Sequence, residues 1–151
     1  MNKLINLSEA SSIAIHSLAL IAKVDQHINA NSIAKLTGFS KNHLSKILQM
    51  LVKHGYLNSH RGPKGGFYLS KSADKITLLE VYELIEGRST DTLCTDHNPS
   101  CPFLDCIYGD IMEEISQIFI KAFGSRTIAD VLWKPGINAS YLLERLNYIQ
   151  L

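Results

Sequence analysis

Apolar residues recur along this chain with two different periods, and the points where the period changes mark out its elements. Over residues 8–24, Ile13, Leu18, Leu20 and Ile21 sit among alanines behind Ser8, whose hydroxyl can accept a first-turn N–H. That stretch is predicted as a mostly apolar core helix. From Asn29 to Leu36, a capping residue (Asn29 or Asn31) precedes Ile33, Ala34 and Leu36, and Thr37-Gly38 closes a short helix. Ser40 can then cap a second helix, in which Leu44, Ile47, Leu48 and Leu51 follow the i, i+3, i+4, i+7 pattern up to His54-Gly55. Two short helices around a tight glycine-containing turn make a helix-turn-helix.

Beyond it, the β-prone runs Tyr56–Ser59 and Phe67–Leu69 flank Arg61-Gly62-Pro63-Lys64-Gly65-Gly66, which predicts a hairpin, a wing. Ile76–Glu86 is amphipathic, starts at Thr77 and stops at Gly87. Residues 88–105 lose all periodicity and read as a loop. From Cys106 a long helix is expected, with Ile107, Ile111, Ile115, Ile118 and Ala122 on one stripe and Asp110, Glu113, Glu114, Gln117 and Lys121 elsewhere, ending at Gly124. Ser125 is expected to cap a last short helix through Leu132, and residues 138–149 add at most a turn or two. The fold predicted is mainly α with a small β wing. It comprises a winged helix-turn-helix at 1–75, a helix, cysteine loop and dimerisation helix at 76–132, and a tail at 133–151.

Length and charge sharpen this picture. At 151 residues and 46% apolar composition the chain can bury one core with an appendage. The net charge is only +1, but residues 1–75 hold 10 Lys and Arg against 3 Asp and Glu, whereas residues 76–151 hold 5 against 11. The two halves therefore face different partners. No run approaches the length of a membrane span, and the N-terminal residues lack a signal-peptide plan, so a cytoplasmic protein is expected.

A second helix that buries Leu44, Ile47, Leu48 and Leu51 turns Lys41, Asn42, Ser45, Lys46 and Gln49 outward, a face with no acid on it. An Asn can bond adenine through both amide atoms and a Lys can reach guanine or phosphate, so Ser40, Lys41, Asn42, His43, Ser45 and Lys46 are the candidate readers of a major groove. Arg61, Pro63 and Lys64 on the glycine-rich hairpin suit the adjacent minor groove, and the glycines would let the backbone come close. A solvated helical hairpin is the plainer reading, but the wing, helix pair and local charge all agree on double-stranded DNA.

The three cysteines, Cys94, Cys101 and Cys106, fall in one loop region. An odd, clustered set in a reducing compartment suits metal or redox chemistry better than a disulfide framework. Thiolates suit an iron-sulfur cluster. Zinc held by Cys94, His97, Cys101 and Cys106, cluster-free thiol sensing and inert cysteines stay open as alternatives. The isoleucine stripe exceeds what a helix at the edge of a small domain needs. Its natural partner is its own symmetry mate in a homodimer, which would set two recognition helices about one turn of DNA apart on a pseudo-palindrome.

The stretch from Ser40 to Leu69, above all Arg61-Gly62-Pro63-x-Gly65-Gly66-Phe67 after Leu51-x3-Gly55-Tyr56-Leu57, resembles the bacterial winged-helix regulators that include the IscR, NsrR and CymR types. The similarity runs from about residue 8 to 132. It implies a homodimer on palindromic promoter DNA and, in members with cysteines in this loop, a cluster (2Fe-2S or 4Fe-4S) ligated by residues matching Cys94, Cys101 and Cys106. The chain departs from the pattern in its C-x6-C-x4-C spacing and in Gly109, where IscR-like members place a histidine. The fourth ligand thus stays open among Glu9, Ser12, Asp96, His97 and Asp105. An enzyme is not expected: G-x-S-x-G, a phosphate loop, H-E-x-x-H and a dinucleotide fingerprint are all missing.

Overall fold

Ser8 begins the first helix by accepting the Ser11 N–H at 3.0 Å, and α1 (Glu9–Val24) then buries Ile13, Ala14, Leu18, Leu20 and Ile21. This computed structural model describes residues 7–24, 27–87, 102–103, 107–132, 141, 144–145 and 147–148. Asn29 caps α2 (Ala30–Thr37) by accepting the Ser32 N–H at 2.9 Å, and Gly38, at φ +77°, ends it in a left-handed conformation that a Cβ would strain. Next comes α3 (Lys41–Lys53), with Leu44, Ile47, Leu48 and Leu51 buried. Ser40 occupies the N-cap position, but its side chain makes no capping hydrogen bond, contrary to expectation.

Strands β1 (Leu57–His60) and β2 (Gly66–Leu69) pair antiparallel, with Leu57 opposite Leu69 and His60 opposite Gly66. A third segment joins them. The Ile28 N–H donates to Phe67 O at 3.2 Å and the Phe67 N–H to Ile28 O at 2.9 Å, which stitches the wing to the chain just before α2. After a 3-10 turn at Ala73–Lys75, α4 (Leu78–Glu86) opens on a reciprocal capping box. In it Thr77 Oγ1 accepts from Glu80 N, and the Glu80 carboxylate accepts from Thr77 N, each at 3.1 Å.

Two expectations about the second half are corrected. The long helix α5 spans Ile111–Gly124 rather than starting at Cys106. Residues 107–110 form a turn instead, with Gly109 at φ +56° and the Ile111 N–H bonded to Tyr108 O. The last helix, α6 (Ile128–Leu132), is capped by Thr127 and not Ser125: Asp130 Oδ2 accepts from Thr127 N at 2.7 Å, while Thr127 Oγ1 accepts from Asp130 N.

One apolar core joins these parts. Ile76, Leu78, Val81 and Ile128 are buried in the same cluster as α1 and α3. Thr77 and Thr127 form an antiparallel bridge, with Leu78 N donating to Arg126 O and Ile128 N to Ile76 O. Helix α5 leans on α4 through Phe119 and Phe123, stacked with centroids 4.2 Å apart, and Phe119 meets Tyr82 edge-on at 4.8 Å. No α5 residue is buried. Among the described residues, no helix is long and apolar enough to cross a membrane.

Candidate nucleic-acid interface

Sealing Leu44, Ile47, Leu48 and Leu51 against α1 and α2 fixes how α3 is rotated, and that rotation presents Ser40, Lys41, Asn42, Lys46 and Gln49 to solvent. His43 and Ser45 are half-buried at the edges of this face. His43 turns toward α1, where its Nδ1 lies 3.6 Å from Glu9 Oε2, so an acid from another element shares the N-terminal end of α3. The remaining candidates form a second group. Arg61, Pro63 and Lys64 all stand exposed at the wing tip, between β1 and β2. His60, next to Arg61, stacks with His27 at a centroid distance of 6.0 Å.

The glycines of the wing are demanded by the fold itself. A Cβ on Gly66 would lie 2.6–2.8 Å from the backbone of Ile28, and one on Gly65 would lie 2.2 Å from His60 O. Both positions are therefore filled by the protein's own backbone: Gly66 is what allows the third segment to join the wing, whereas Gly65 leaves room for His60 O within the wing's own turn. Gly62, at φ +124°, serves the turn itself.

A polar network behind the wing holds it to α4. Lys71 Nζ bonds Glu80 Oε1 at 2.8 Å and sits 4.4 Å from the centroid of the Tyr56 ring. Burial, together with the Glu80 charge, pushes the Tyr56 hydroxyl up to about 12. Burial alone would raise Glu80, but hydrogen bonds from Lys71 and Thr77 and the Lys71 charge outweigh it and hold the carboxyl below its ordinary range.

The proposed ligand set is divided. Cys94, Cys101 and Cys106 lie outside the described residues, as do Asp96, His97 and Asp105. Of the remaining two candidates, Glu9 is exposed and paired with His43, and Ser12 is half-buried one turn further along α1. Among the described residues, no group of three or more His, Cys, Asp or Glu is placed to hold a metal. Glu86, the last residue of α4 before the cysteine region, accepts hydrogen bonds from Ser8 and Ser11 and so fastens the end of α4 to the start of α1.

Sequence patterning missed three of these features. The Ile28 bridge involves one residue and carries no period. The Glu9–His43 and Glu86–serine contacts join positions far apart in sequence, although an acid at each helix end and a serine pair at the other are all visible in the chain.

The pattern of the Rrf2 family, described as an iron-dependent transcriptional regulator, matches residues 7–134. The protein rrf2 of Nitratidesulfovibrio vulgaris (strain Hildenborough) is 28% identical over 109 residues, 72% of this chain and 73% of the relative. Among solved structures, CymR, the global cysteine regulator of B. subtilis, superposes with a TM-score of 0.66 at 22% identity, covering 85% of this chain and 97% of that one. T. potens IscR gives 0.70 at 21% identity, over 85% and 87%. The chain belongs to the Rrf2 family of DNA-binding transcriptional regulators, and its fold is the winged helix.

Proposed function

We propose that this chain acts as a cytoplasmic homodimer on a pseudo-palindromic operator, with an iron-sulfur cluster setting its affinity. The observation that carries the DNA contact is the solvent face of α3. It holds Lys41, Asn42 and Lys46 with no acid of its own and lies in the same basic half of the chain as the exposed Arg61 and Lys64. In this reading Asn42 reads a base, Ser40, Lys41, His43, Ser45 and Lys46 anchor the helix, and Arg61, Pro63 and Lys64 enter the neighbouring minor groove. The exposed isoleucines of α5 support the dimer.

Cys94, Cys101 and Cys106 would hold the cluster, with Glu9 or Ser12 as the described candidates for a fourth, oxygen ligand. Three thiolates and one weaker donor suit iron, and the cluster would supply a site that oxidants or nitric oxide can alter. Glu9 lies beside His43 of α3, and Glu86 ties the segment before the cysteines to α1. A change in the cysteine region therefore has a short path to the recognition helix. Likeness in fold to CymR favours a second reading, a thiol-based regulator that needs no metal.

Fluorescence anisotropy with operator and scrambled duplexes tests the DNA assignment. Arg61→Ala should weaken binding while Lys121→Ala on α5 does not, and equal losses would remove the wing from the interface. Single Cys→Ala variants, compared anaerobically for iron content and operator affinity, separate the two sensing readings. Loss of iron together with altered affinity supports the cluster, whereas altered affinity in a parent that holds no iron supports the thiol mechanism.

A further inference from the structure

Ile28 pairs with Phe67, and Phe67 pairs with Ser59, so these three residues form one row across a three-segment sheet. Side chains alternate between the two faces of a sheet, and the residues one step to either side of that row therefore share one face. They are His27 and Asn29 before α2, Asn58 and His60 of β1, and Gly66 and Tyr68 of β2. The opposite face buries Ile28 and Leu57 in the core, whereas this one meets solvent, with His27, Asn58, His60 and Tyr68 all exposed. Gly66, on the middle segment, carries no side chain to separate the two histidines. Their rings stack with centroids 6.0 Å apart and planes 18° from parallel, and the Tyr68 ring lies 4.8 Å from His27. None of the three segments carries an acid, and the turn that follows His60 adds the exposed Arg61 and Lys64.

We propose that this face is a further DNA contact, a proton-linked clamp in which His27 and His60 seat on the phosphate backbone beside the wing tip and tighten binding as pH falls. It deepens the DNA-binding reading and rests on it. Continuity carries the placement, because His60 directly precedes Arg61 and His27 stacks on His60. Charge carries the chemistry. A protonated imidazole donates from both ring nitrogens, and its bonds to phosphate are charge-assisted. Two charged rings at this separation, next to Arg61, repel one another in the free chain, and an anion between or beside them removes that cost. DNA phosphate therefore favours the charged pair, and the complex takes up protons that the free chain lacks. By linkage, affinity rises as pH falls through the imidazole range, about 6.5.

Fluorescence anisotropy of the full chain with a mixed-sequence duplex of about 30 base pairs, at pH 6.0 and pH 8.0, tests this. The parent should bind at least fivefold tighter at pH 6.0, with a salt slope steeper there by about 0.9 for each imidazole seated on a phosphate. His27→Gln combined with His60→Gln keeps the face polar but uncharged, and should cut that pH ratio to less than half. His27→Lys combined with His60→Lys fixes the charge, and should bind at pH 8.0 as tightly as the parent does at pH 6.0. His54→Gln, at an exposed histidine that ends α3 outside this face, should keep the parent's ratio. A parent ratio below fivefold, a double Gln variant that keeps more than half of it, or an equal loss in His54→Gln overturns the clamp. A chain that binds the duplex at neither pH overturns the DNA-binding reading itself, and the clamp with it.

Discussion

Helices α3 and α5 carry the same kind of apolar stripe and meet opposite fates. On α3, Leu44, Leu48 and Leu51 are fully buried; on α5, Ile111, Ile115 and Ile118 are 56%, 48% and 63% exposed. The difference lies in what each helix leans on. Helix α3 is boxed in by α1, α2 and β1, whereas α5 leans on the head through the face that carries Phe119 and Phe123, next to α4. A heptad-like period thus reports that a face must be covered, and it does not say whether the cover comes from the same chain. The charges divide along the same line, since the half that closes its own core is basic and the half with the uncovered stripe is acidic.

The largest effect should come from breaking the stripe. Ile115→Asp combined with Ile118→Asp is expected to raise the dimer dissociation constant by more than about 100-fold, giving a monomer at micromolar concentration by sedimentation. The head of the same variant should keep its helical circular dichroism. A dimer that survives the double substitution would detach α5 from self-association.

Truncating the matching position on α3 should do the reverse. Leu48→Ala leaves a cavity in a sealed core and should cost about 2–5 kcal/mol in denaturant unfolding, with the sedimentation profile unchanged. An effect below 1 kcal/mol would mean that the head is looser than its packing indicates.

The two cap positions sharpen the comparison at a smaller scale. Thr77→Ala removes half of a capping box and should cost about 1 kcal/mol, whereas Ser40→Ala, where no capping bond is made, should stay within about 0.5 kcal/mol. Equal losses would show that Ser40 does cap α3 in solution.

The smallest effects are in pH. Tyr56 is raised in the folded chain from 10.0 to about 12, so its contribution is complete below pH 10 and is lost as pH climbs through 12. The last step of the tyrosinate absorbance titration should be missing from Tyr56→Phe. Glu80 is lowered, so its contribution is present above the ordinary carboxylate range and fades as pH falls through the lowered value. Lys71→Met should flatten that acid limb of the stability curve; an unchanged limb would mean that the Lys71–Glu80 pair contributes nothing in solution.

The helices of the head were legible because each rests on local information. Four apolar residues in phase and a glycine at Gly38 or Gly55 suffice, and all four stripe residues of α3 are buried as expected. The start of α5 was misread for the same reason. Ile107 continues the stripe in phase, but the positive φ of Gly109 interrupts the helix between it and Ile111, and a period does not register dihedral angles. The cap of α6 was within reach, because Thr127 with Asp130 three residues on is the capping-box spacing and Ser125 lacks such a partner. The double glycine of the wing was visible as a signal, but its cause was not. For Gly66 that cause is the backbone of Ile28, which only the folded chain brings within reach, and for Gly65 it is His60 O across the turn.

The Thr77–Thr127 bridge ties the chain entering α4 to the chain entering α6, although α4 and α5 lie between the two in sequence. Between these positions α4 stays packed on α1 through the core that holds Leu78 and Val81, while α5, which buries no residue, leans outward from a root anchored by Leu78 N on Arg126 O and Ile128 N on Ile76 O. Because the bridge pairs Thr77 with Thr127 directly, residues between α4 and α5 can be gained or lost without unpairing it. Such an arrangement lets one DNA-reading scaffold carry segments of different length between the same two anchor points.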